Sequence, residues 1–318
     1  MYFRYAQGNF SQAPILPSNQ SPLGALPARF RRERVLIVGC GDIGLRVARS
    51  LGRGVRVMAL TSSPQRVAEL RQKGITPLVG NLDDAAGLQR LAGMAMRVLH
   101  LAPPPGEGGG DPRMRDLIVA LRRRSIPQRF VYGSTSGVYG DCQGEVVAET
   151  RAVKAQSGRA TRRIDAERRI RHLGRATGMR MNILRIPGIY ALDRANGTPT
   201  LRLQKGTPVL RPEDDVFTSH IHADDLARAC VAALWRGRPQ RIYNVNDDTQ
   251  LMMGDYFDLA ADVLNLPRPP RVPRAVAQAQ LPPMMMSFMN ESRRMDNKRL
   301  KKELALRLRY PTVVDGLR

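Results

Sequence analysis

The chain has 318 residues, of which 42% are hydrophobic, and this content supports a packed core and excludes a wholly disordered chain. No stretch reaches the roughly 18 consecutive apolar residues that a membrane span requires, so we expect a soluble protein without a membrane partner. The 51 Lys and Arg residues outnumber the 28 Asp and Glu residues and give a formal net charge of +23. Because this excess is spread along the chain, we favour a basic surface that attracts anionic ligands over nucleic-acid binding.

The three cysteines, Cys40, Cys142 and Cys230, are odd in number and far apart in the chain. Their spacing excludes a disulfide framework and a thiolate metal cage, and we predict no metal site. Such cysteine usage is typical of a reducing compartment, so we expect a cytoplasmic protein.

The first 32 residues are rich in Gly, Pro, Ser, Asn and Gln and contain no periodic apolar run. This composition predicts a disordered tail. No apolar segment of the kind found in secretory signals follows Arg4, so we do not expect a signal peptide.

From residue 33 onward, strand-like and helix-like runs alternate. The apolar run from Val35 to Val38 is typical of a strand buried on both faces. Further strands are predicted at 55–60, 75–79, 97–101 and 129–132, with helices at 64–73, 83–91 and 111–124. We expect Ser63 to be the N-cap of the first of these helices and Pro64 its first residue. This alternation predicts a Rossmann-type α/β fold, a doubly wound parallel sheet with right-handed crossovers.

After residue 180 the alternation loosens, although strands are still predicted at 181–186 and 241–245 and helices at 224–234 and 297–304. Two segments, 191–216 and 267–283, are interrupted by Gly or Pro. We predict that residues 33–185 form the dinucleotide-binding domain, completed by about 224–246. Residues 186–223 and 247–318 would form a smaller C-terminal substrate lobe.

The spacing G-x-G-x-x-G occurs at Gly39, Gly41 and Gly44, directly after the first strand and before a helical run. At a strand-to-helix turn these glycines allow the tight turn, the approach of backbone to a pyrophosphate, and close helix packing. A pyrophosphate would then lie at the helix N-terminus, where N–H groups are free. We therefore predict that this loop, including Asp42 and Ile43, binds a dinucleotide.

The end of the second strand indicates which dinucleotide is bound. NAD-binding proteins usually carry an acidic residue about 20 positions after the glycines, which grips the ribose hydroxyls. Here the chain offers Thr61, Ser62 and Arg66 and no carboxylate. Hydroxyls and a cation suit a 2′-phosphate, so NADP is favoured, with NAD left open. The alternative is that Ser62 and Ser63 only cap the next helix.

Six motifs in chain order, from about Glu33 to the C-terminus, resemble the short-chain dehydrogenases/reductases, in particular their extended, epimerase/dehydratase-like branch. The motifs are Gly39–Gly44, Gly80–Asp83, His100–Pro103, Ser134–Gly140, Arg185–Tyr190 and Ile221–Ala227. The resemblance implies cofactor contacts beyond the glycine loop at Asn81, Leu82, Leu101, Ala102, Pro103 and Pro187. It also implies a small-molecule substrate, which the basic composition suggests is anionic, and it leaves a homodimer open.

The catalytic pair of that family has no counterpart in this sequence. Family enzymes use Tyr-x-x-x-Lys, and in the extended branch a glutamate follows the lysine by four residues. If Glu167 is that glutamate, Arg163 stands at the lysine position and Arg159 at the tyrosine position. No tyrosine occurs between Tyr139 and Tyr190, so another register does not restore the pair.

Two residues remain as predicted catalytic groups. Thr135 matches the family's substrate-polarising Ser/Thr, and Arg163 can still donate hydrogen bonds to the ribose, although a guanidinium does not relay protons. Tyr139 and Tyr190 are candidates for a replacement base, although packing is the favoured role of each. Two functions stay open: an oxidoreductase or epimerase acting on a small carbonyl or nucleotide-sugar-like substrate, and a catalytically silent dinucleotide sensor.

Four cations lie in the segment that contacts the substrate in extended members of the family. They are Arg194, Arg202, Lys205 and Arg211. Such side chains suit a phosphate or a carboxylate, but a solvated loop explains them equally well, and both interpretations stay open. His220 and His222 are spaced by two residues and would point the same way along a strand, yet no further His lies near them.

Overall fold

A computed structural model describes residues 32–318, so the predicted tail lies outside the described residues except for its last position. The strands in chain order are β1 (Glu33–Val38), β2 (Val55–Thr61), β3 (Thr76–Val79), β4 (Arg97–His100), β5 (Arg129–Thr135), β6 (Val146–Val147), β7 (Arg180–Ile186), β8 (Gly188–Tyr190), β9 (Val209–Leu210), β10 (Phe217–Thr218), β11 (His220–His222), β12 (Arg241–Asn244), β13 (Leu251–Met252), β14 (Arg271–Val272) and β15 (Arg294–Met295).

The helices are α1 (Asp42–Ser50), α2 (Arg66–Gln72), α3 (Pro112–Arg122), α4 (Gly158–Thr177), α5 (Thr200–Gln204), α6 (Ala223–Arg236), α7 (Met253–Val263), α8 (Arg274–Gln280), α9 (Pro283–Met289), α10 (Lys298–Glu303) and α11 (Val313–Leu317). Short 3-10 turns occupy Gly87–Leu91, Ser136–Tyr139 and Pro212–Asp214.

Seven strands form one sheet in the order β12-β7-β5-β4-β1-β2-β3, and every neighbouring pair runs parallel. The chain fills one half of the sheet from β1 outward to β3 and then returns to the other side of β1 with β4. This reversal is the topological switch point at which doubly wound sheets bind ligands. The predicted Rossmann-type fold is confirmed.

The first strand shows why the sheet is buried on both faces. Its last four residues, Val35 to Val38, are fully buried. Val35 and Ile37 pack in one core cluster, with Cys230 of α6, whereas Leu36 and Val38 pack in the other. Successive side chains of a strand point to opposite faces, so a continuous apolar run serves both layers of helices.

A third core cluster lies outside the large sheet. It gathers apolar side chains of β8, β9 and the helices α5, α7, α8, α9 and α11, including Tyr190, Leu203, Phe257 and Met289. Leu300, Leu304, Leu306 and Leu308, by contrast, pack with the β1 and α6 side of the sheet. The boundaries of the two-lobe division remain a prediction.

Two predicted helices differ from those in the structure. The helix expected at 83–91 is only the turn Gly87–Leu91, because the side chain of Asp84 accepts the Gly87 N–H and the side chain of Asp83 binds Arg113. The helix expected at 64–73 begins at Arg66, and no side chain caps it. Ser63 was wrong as its N-cap, because the Ser63 carbonyl closes a turn with the Arg66 N–H.

A buried ion pair joins α4 to the sheet. Arg185 of β7 donates from Nη2 to Glu167 Oε2 of α4 at 2.7 Å, and the two side chains are 2% and 4% exposed. The Ser134 hydroxyl donates to Glu167 Oε1 at 2.6 Å, and the ring of Tyr139 lies 4.6 Å from the guanidinium carbon of Arg185. These contacts satisfy both charges and hold α4 against the end of β5.

Removing the Glu167 carboxylate leaves Arg185 as an unpaired buried charge. We expect Glu167→Ala to lower the free energy of unfolding by about 3–5 kcal/mol, the usual cost of deleting one partner of a buried pair. Arg169→Ala on the same helix removes a partly exposed pair with Asp165 and should cost less than about 1 kcal/mol. Urea unfolding followed by circular dichroism measures both losses. Equal, small losses would contradict the structural role of the buried pair.

Candidate functional site

The loop after β1 has the backbone that its glycines predict. Gly39 has a φ of +87°, and a Cβ added to it would stand 2.3 Å from the backbone nitrogen of Ala102. A Cβ on Gly44 would stand 3.2 Å from the Gly39 carbonyl oxygen and from the side chain of Ile37. The first glycine therefore permits the turn, and the third lets α1 pack closely on β1.

Gly41, the middle glycine, faces open space. A Cβ on Gly41 would meet no atom within 4 Å, and Gly41 is the N-cap of α1 without a side-chain hydrogen bond. The first N–H groups of a helix have no partner within the helix, and here no capping side chain supplies one. An anion can therefore approach the backbone at this point, and the loop fits the pyrophosphate of a dinucleotide.

Arg46 holds α1 in place with three carboxylates. This arginine is 6% exposed and binds Asp42 at 3.1 Å, Asp193 at 2.6 Å and Asp224 at 2.5 Å. Arg194 lies 3.2 Å from the other oxygen of Asp42. Two guanidinium groups therefore contact Asp42, and Arg46 also ties α1 to Asp193 and to Asp224 of α6.

A crevice of about 320 Å³ opens at this loop, over the carboxyl ends of the strands. Nine of the sequence-predicted site residues line it: Gly39, Gly41, Asp42, Ile43, Gly44, Leu101, Thr135, Arg163 and Pro187. The other seven lie outside its lining: Thr61, Ser62, Arg66, Asn81, Leu82, Ala102 and Pro103.

Arg66 nevertheless contacts the glycine loop. Its Nη1 donates to the Cys40 carbonyl at 2.7 Å, and its Nε lies 3.3 Å from Glu69 Oε2. The Thr61 hydroxyl accepts the Ser63 N–H and stabilises the turn, whereas Ser62 is exposed. A cation and a free hydroxyl therefore stand where the end of β2 meets the glycine loop.

The loops after β3 and β4 are joined by one arginine. Arg113 donates two hydrogen bonds to Asp83, at 2.7 and 2.6 Å, and one to the Pro103 carbonyl at 3.3 Å. Asn81 accepts the Asp83 N–H with its side chain, and Leu82 is buried in the core. Leu82 thus anchors the loop after β3, and the exposed side chain of Asn81 is the group of this loop that is available to a ligand.

The two predicted catalytic residues lie together at the carboxyl end of β5. Thr135 Oγ1 accepts the Gly137 N–H at 3.3 Å, which leaves the hydroxyl proton of Thr135 free to be donated. Arg163 Nη1 donates to the Gly133 carbonyl at 2.6 Å and to the Tyr132 hydroxyl at 3.1 Å. This places a fixed cation beside a free hydroxyl donor.

The hydroxyls of Tyr139 and Tyr190 are committed elsewhere. Tyr139 donates to the Asn244 side chain at 2.6 Å, and Tyr190 donates to the Thr312 carbonyl at 3.1 Å. Both side chains are 1% exposed, and burial raises the pKa of each phenol above its usual range. Both tyrosines therefore support the packing of the molecule.

A second cavity, of about 480 Å³, adjoins the crevice on the side of the third core cluster. Thr135, Arg163, Pro187 and Ile189 line both spaces. Several residues that line the second cavity were not predicted as site residues from the sequence: Tyr256, Phe257, Phe288, Glu291 and Arg293. No family motif contains them, so the sequence carried no signal that would have identified them.

The charged groups of this second cavity are mainly arginines. Arg159 lies over the ring of Phe288 at 4.8 Å, Arg202 lies over the ring of Phe257 at 4.2 Å, and Arg293 pairs with Glu291 at 2.7 Å. Of the other cations in the segment, Arg194 lines the crevice, Arg211 pairs with Asp214, and Lys205 is exposed.

His220 also lines the second cavity, and its ring stacks on Tyr256 at 4.0 Å. Burial lowers the pKa of His220 to about 4, so its imidazole is neutral at neutral pH. His222 instead accepts the Asp224 N–H with its ring nitrogen and lies against Tyr310. Across residues 32–318, no three His, Cys, Asp or Glu side chains meet in a group that could hold a metal ion.

No helix in the part of the chain that the structure describes is both long and apolar enough to cross a membrane.

Comparison with known proteins identifies relatives of this chain. The model of the NAD dependent epimerase/dehydratase family matches residues 35–246. Protein YeeZ of Escherichia coli K12 is 25% identical over 247 residues, which are 74% of this chain and 86% of that protein.

Solved structures share the fold. A functionally unknown conserved protein from Silicibacter pomeroyi superposes with a TM-score of 0.72 at 28% identity, over 90% of this chain and 96% of that one. The UDP-glucose 4-epimerase of Thermus thermophilus, solved with NAD, gives a TM-score of 0.71 at 21% identity, over 89% of this chain and 96% of that one. At that identity the second likeness shows the fold alone.

The first two glycines of the loop should respond differently to a methyl group. We expect Gly39→Ala to destabilise the fold by more than about 2 kcal/mol, because a left-handed backbone alone costs an alanine roughly 1–3 kcal/mol and the Ala102 backbone blocks the new Cβ. Gly41→Ala, with a φ of −79° and open space, should stay within about 0.5 kcal/mol of the wild type. Chemical unfolding measures both. A large loss in Gly41→Ala would mean that this glycine serves folding as well.

Proposed function

The chain belongs to the NAD dependent epimerase/dehydratase family, and we propose that it is a nicotinamide-dinucleotide-dependent oxidoreductase or epimerase acting on a small carbonyl or nucleotide-sugar-like substrate. The observation that carries this proposal is the junction of the two cavities. Thr135, Arg163, Pro187 and Ile189 line both the crevice at the glycine loop and the larger space beyond it. A dinucleotide in the first and a substrate in the second would therefore meet beside the Thr135 hydroxyl.

The residues of the crevice fit the parts of a dinucleotide. The glycine loop and the N-terminus of α1 would bind the pyrophosphate, and Leu101 and Pro187 offer apolar contacts nearer to Thr135. When bound, the cofactor supplies hydride transfer to or from a carbon of the substrate. The protein then has to orient the substrate and manage the proton.

Thr135 is the group best placed for the substrate oxygen. Its hydroxyl oxygen is already occupied by the Gly137 N–H, so the hydroxyl can donate its own proton to a carbonyl or alkoxide. Arg163 would steady the ribose with the guanidinium hydrogens that Gly133 and Tyr132 do not use. A guanidinium stays protonated at neutral pH, so Arg163 binds and orients without accepting a proton.

We propose NADP rather than NAD as the preferred cofactor. Arg66 is held against the Cys40 carbonyl of the glycine loop, and Ser62 is exposed beside it. A guanidinium recognises a phosphate by charge and by paired hydrogen bonds, whereas a ribose diol is better served by a carboxylate. Glu69 takes part of the hydrogen-bonding capacity of Arg66, and its charge is shared with Lys73 at 3.2 Å.

A second candidate function, a catalytically silent dinucleotide sensor, is favoured by the lack of a base. Arg159 and Arg163 stand where the family has Tyr and Lys, and the hydroxyls of Tyr139 and Tyr190 are engaged in packing. Tyr256 lines the cavity, but burial raises the pKa of its phenol well above the usual range, so it stays protonated. A cytoplasmic location and a homodimer remain predictions.

Dinucleotide binding is tested by calorimetry on Gly41→Asp. We expect this variant to lose binding of NADPH and NADH, because a side chain and a negative charge would enter the pyrophosphate site. Gly41→Ala is the matched control for an added Cβ alone, and a melting curve confirms that each variant is folded. Equal affinity in the wild type and Gly41→Asp would contradict the site.

The preference for NADP depends on Arg66. We expect Arg66→Ala to weaken NADPH binding by about tenfold, the loss of a charge-assisted contact, and to leave NADH binding nearly unchanged. Tighter binding of NADH than of NADPH by the wild type would overturn the preference for NADP without affecting the dinucleotide site.

Turnover should be slow, since general acid–base catalysis typically supplies 10² to 10⁴-fold in rate and the Tyr-Lys pair is missing. We expect faint activity on a panel of sugar nucleotides, aldehydes and ketones, followed by cofactor absorbance, and its loss in Thr135→Val. Thr135→Ser keeps the hydroxyl and is the matched control. Brisk epimerisation of a UDP-sugar would show that the pair is dispensable, whereas tight cofactor binding without any turnover favours the sensor.

A further inference from the structure

Arg202 of α5 is a cation without a partner at the wall of the larger cavity. Its Nε and Nη2 atoms are shielded from solvent and donate to no acceptor within residues 32–318. No carboxylate among those residues forms an ion pair with it, and burial lowers its pKa below the usual range. Shielding a guanidinium without a counter-charge is costly, so a folded protein rarely retains one without a use for it.

The neighbours of Arg202 are aromatic. The guanidinium lies 4.2 Å from the centre of the Phe257 ring, Phe257 meets Tyr256 edge-on at 5.6 Å, and Tyr256 stacks on His220 at 4.0 Å. All four side chains line the cavity, and none of them lines the crevice at the glycine loop. We call this set, Arg202, Phe257, Tyr256 and His220, the aromatic wall.

The aromatic wall carries a single positive charge. His220 is neutral at neutral pH because of its burial, and its Nδ1 has no hydrogen-bond partner among the described residues. Tyr256 is neutral as well.

The other arginines of the cavity are accounted for elsewhere. Arg293 is paired with Glu291, Arg163 is bound to Gly133 and Tyr132 beside the crevice, and Arg159 is an exposed residue over Phe288.

We propose that the aromatic wall binds a carboxylate of the substrate, held by Arg202. This inference rests on the proposed function, which places the substrate in the same cavity, and it narrows the substrate class to carbonyl or hydroxy compounds that bear a carboxylate. A carboxylate matches the planar fork of a guanidinium and offers acceptors for Nε and Nη2 together. The imidazole of His220 is a further neutral hydrogen-bonding group on the same wall.

The charge balance favours a carboxylate over a phosphate. One guanidinium neutralises one negative charge, and in this shielded wall a phosphate dianion would retain an uncompensated charge, which is costly to bury. The same balance disfavours a neutral substrate, because the guanidinium of Arg202 would then still lack a counter-charge. Binding energy at this wall would orient the reacting carbon near Thr135, which lines the same cavity.

Arg202→Met tests the proposal in the full-length protein. Methionine has a similar length and no charge, so we expect its melting temperature, without added anions, to equal or exceed that of the wild type. Pyruvate is the probe, with methyl pyruvate as its uncharged analogue and inorganic phosphate as the alternative anion, all at equal ionic strength set by chloride. We expect pyruvate to raise the melting temperature of the wild type, and the apparent affinity for pyruvate to fall about tenfold or more in Arg202→Met.

Arg211→Met is the matched control, because Arg211 is a surface residue paired with Asp214 and does not line the cavity. We expect this variant to respond to pyruvate as the wild type does. An unchanged pyruvate response in Arg202→Met, or a response to phosphate or methyl pyruvate as large as that to pyruvate, would overturn the proposal. If Arg202→Met does not fold, Arg202→Gln removes the same charge and is judged by the same outcomes.

Dinucleotide titration of the same preparations separates this proposal from the proposed function. Arg202 does not line the crevice, so Arg202→Met should bind NADPH as the wild type does. A wild type that binds no dinucleotide but responds to pyruvate through Arg202 would overturn the proposed function and leave the carboxylate site standing. A wild type that binds the dinucleotide but does not respond to pyruvate would overturn the carboxylate site and leave the proposed function standing.

Discussion

The site depends on the parallel pairing of the seven strands. Because β1 lies between β2 and β4, and β5 and β7 follow on the β4 side, the carboxyl ends of all these strands meet at one edge. Residues that are far apart in the chain, such as Gly41, Leu101, Thr135 and Pro187, therefore line one crevice. If the strands paired in another register or direction, these ends would be separated and the residues would no longer form one site. The apolar runs that build the strands are therefore as necessary to the site as the glycines.

The partners of its buried atoms distinguish the arginine that we propose to bind a ligand from the structural arginines of this protein. Arg46 and Arg185 are almost fully buried, and each is surrounded by carboxylates or hydrogen-bond acceptors that fix a helix against its neighbours. Arg202 is only partly buried, but its Nε and Nη2 atoms are shielded from solvent and have no such partner among the described residues. A charge of the first kind stabilises the fold, whereas a charge of the second kind is explained best by a ligand that completes it.

The chemistry proposed for the site follows from the predicted replacement of a Tyr-Lys pair by two arginines. A lysine lowers the pKa of a neighbouring tyrosine and passes protons, whereas an arginine does neither at neutral pH. The face of α4 that bears Arg159 and Arg163 therefore supplies charge and hydrogen bonds without a base. What remains beside the cofactor crevice is the Thr135 hydroxyl, which makes orientation and polarisation the main contributions of the protein to catalysis.

The sequence by itself determined the fold class, and it predicted the glycine loop and the lack of a Tyr-Lys pair, because each of these depends on residues close together in the chain or on a motif order. It failed at 83–91, where the side chains of Asp83 and Asp84 replaced a helix by a turn and contacts to Arg113. Only the tertiary structure decided the second cavity, since Phe288, Glu291 and Arg293 reach it from more than 100 residues beyond Thr135. For the same reason, the sequence did not decide whether Arg202 lies in a solvated loop or in an anion site. Whether a charged side chain has a partner depends on the residues packed around it in the fold, and the spacing of residues along the chain does not reveal this.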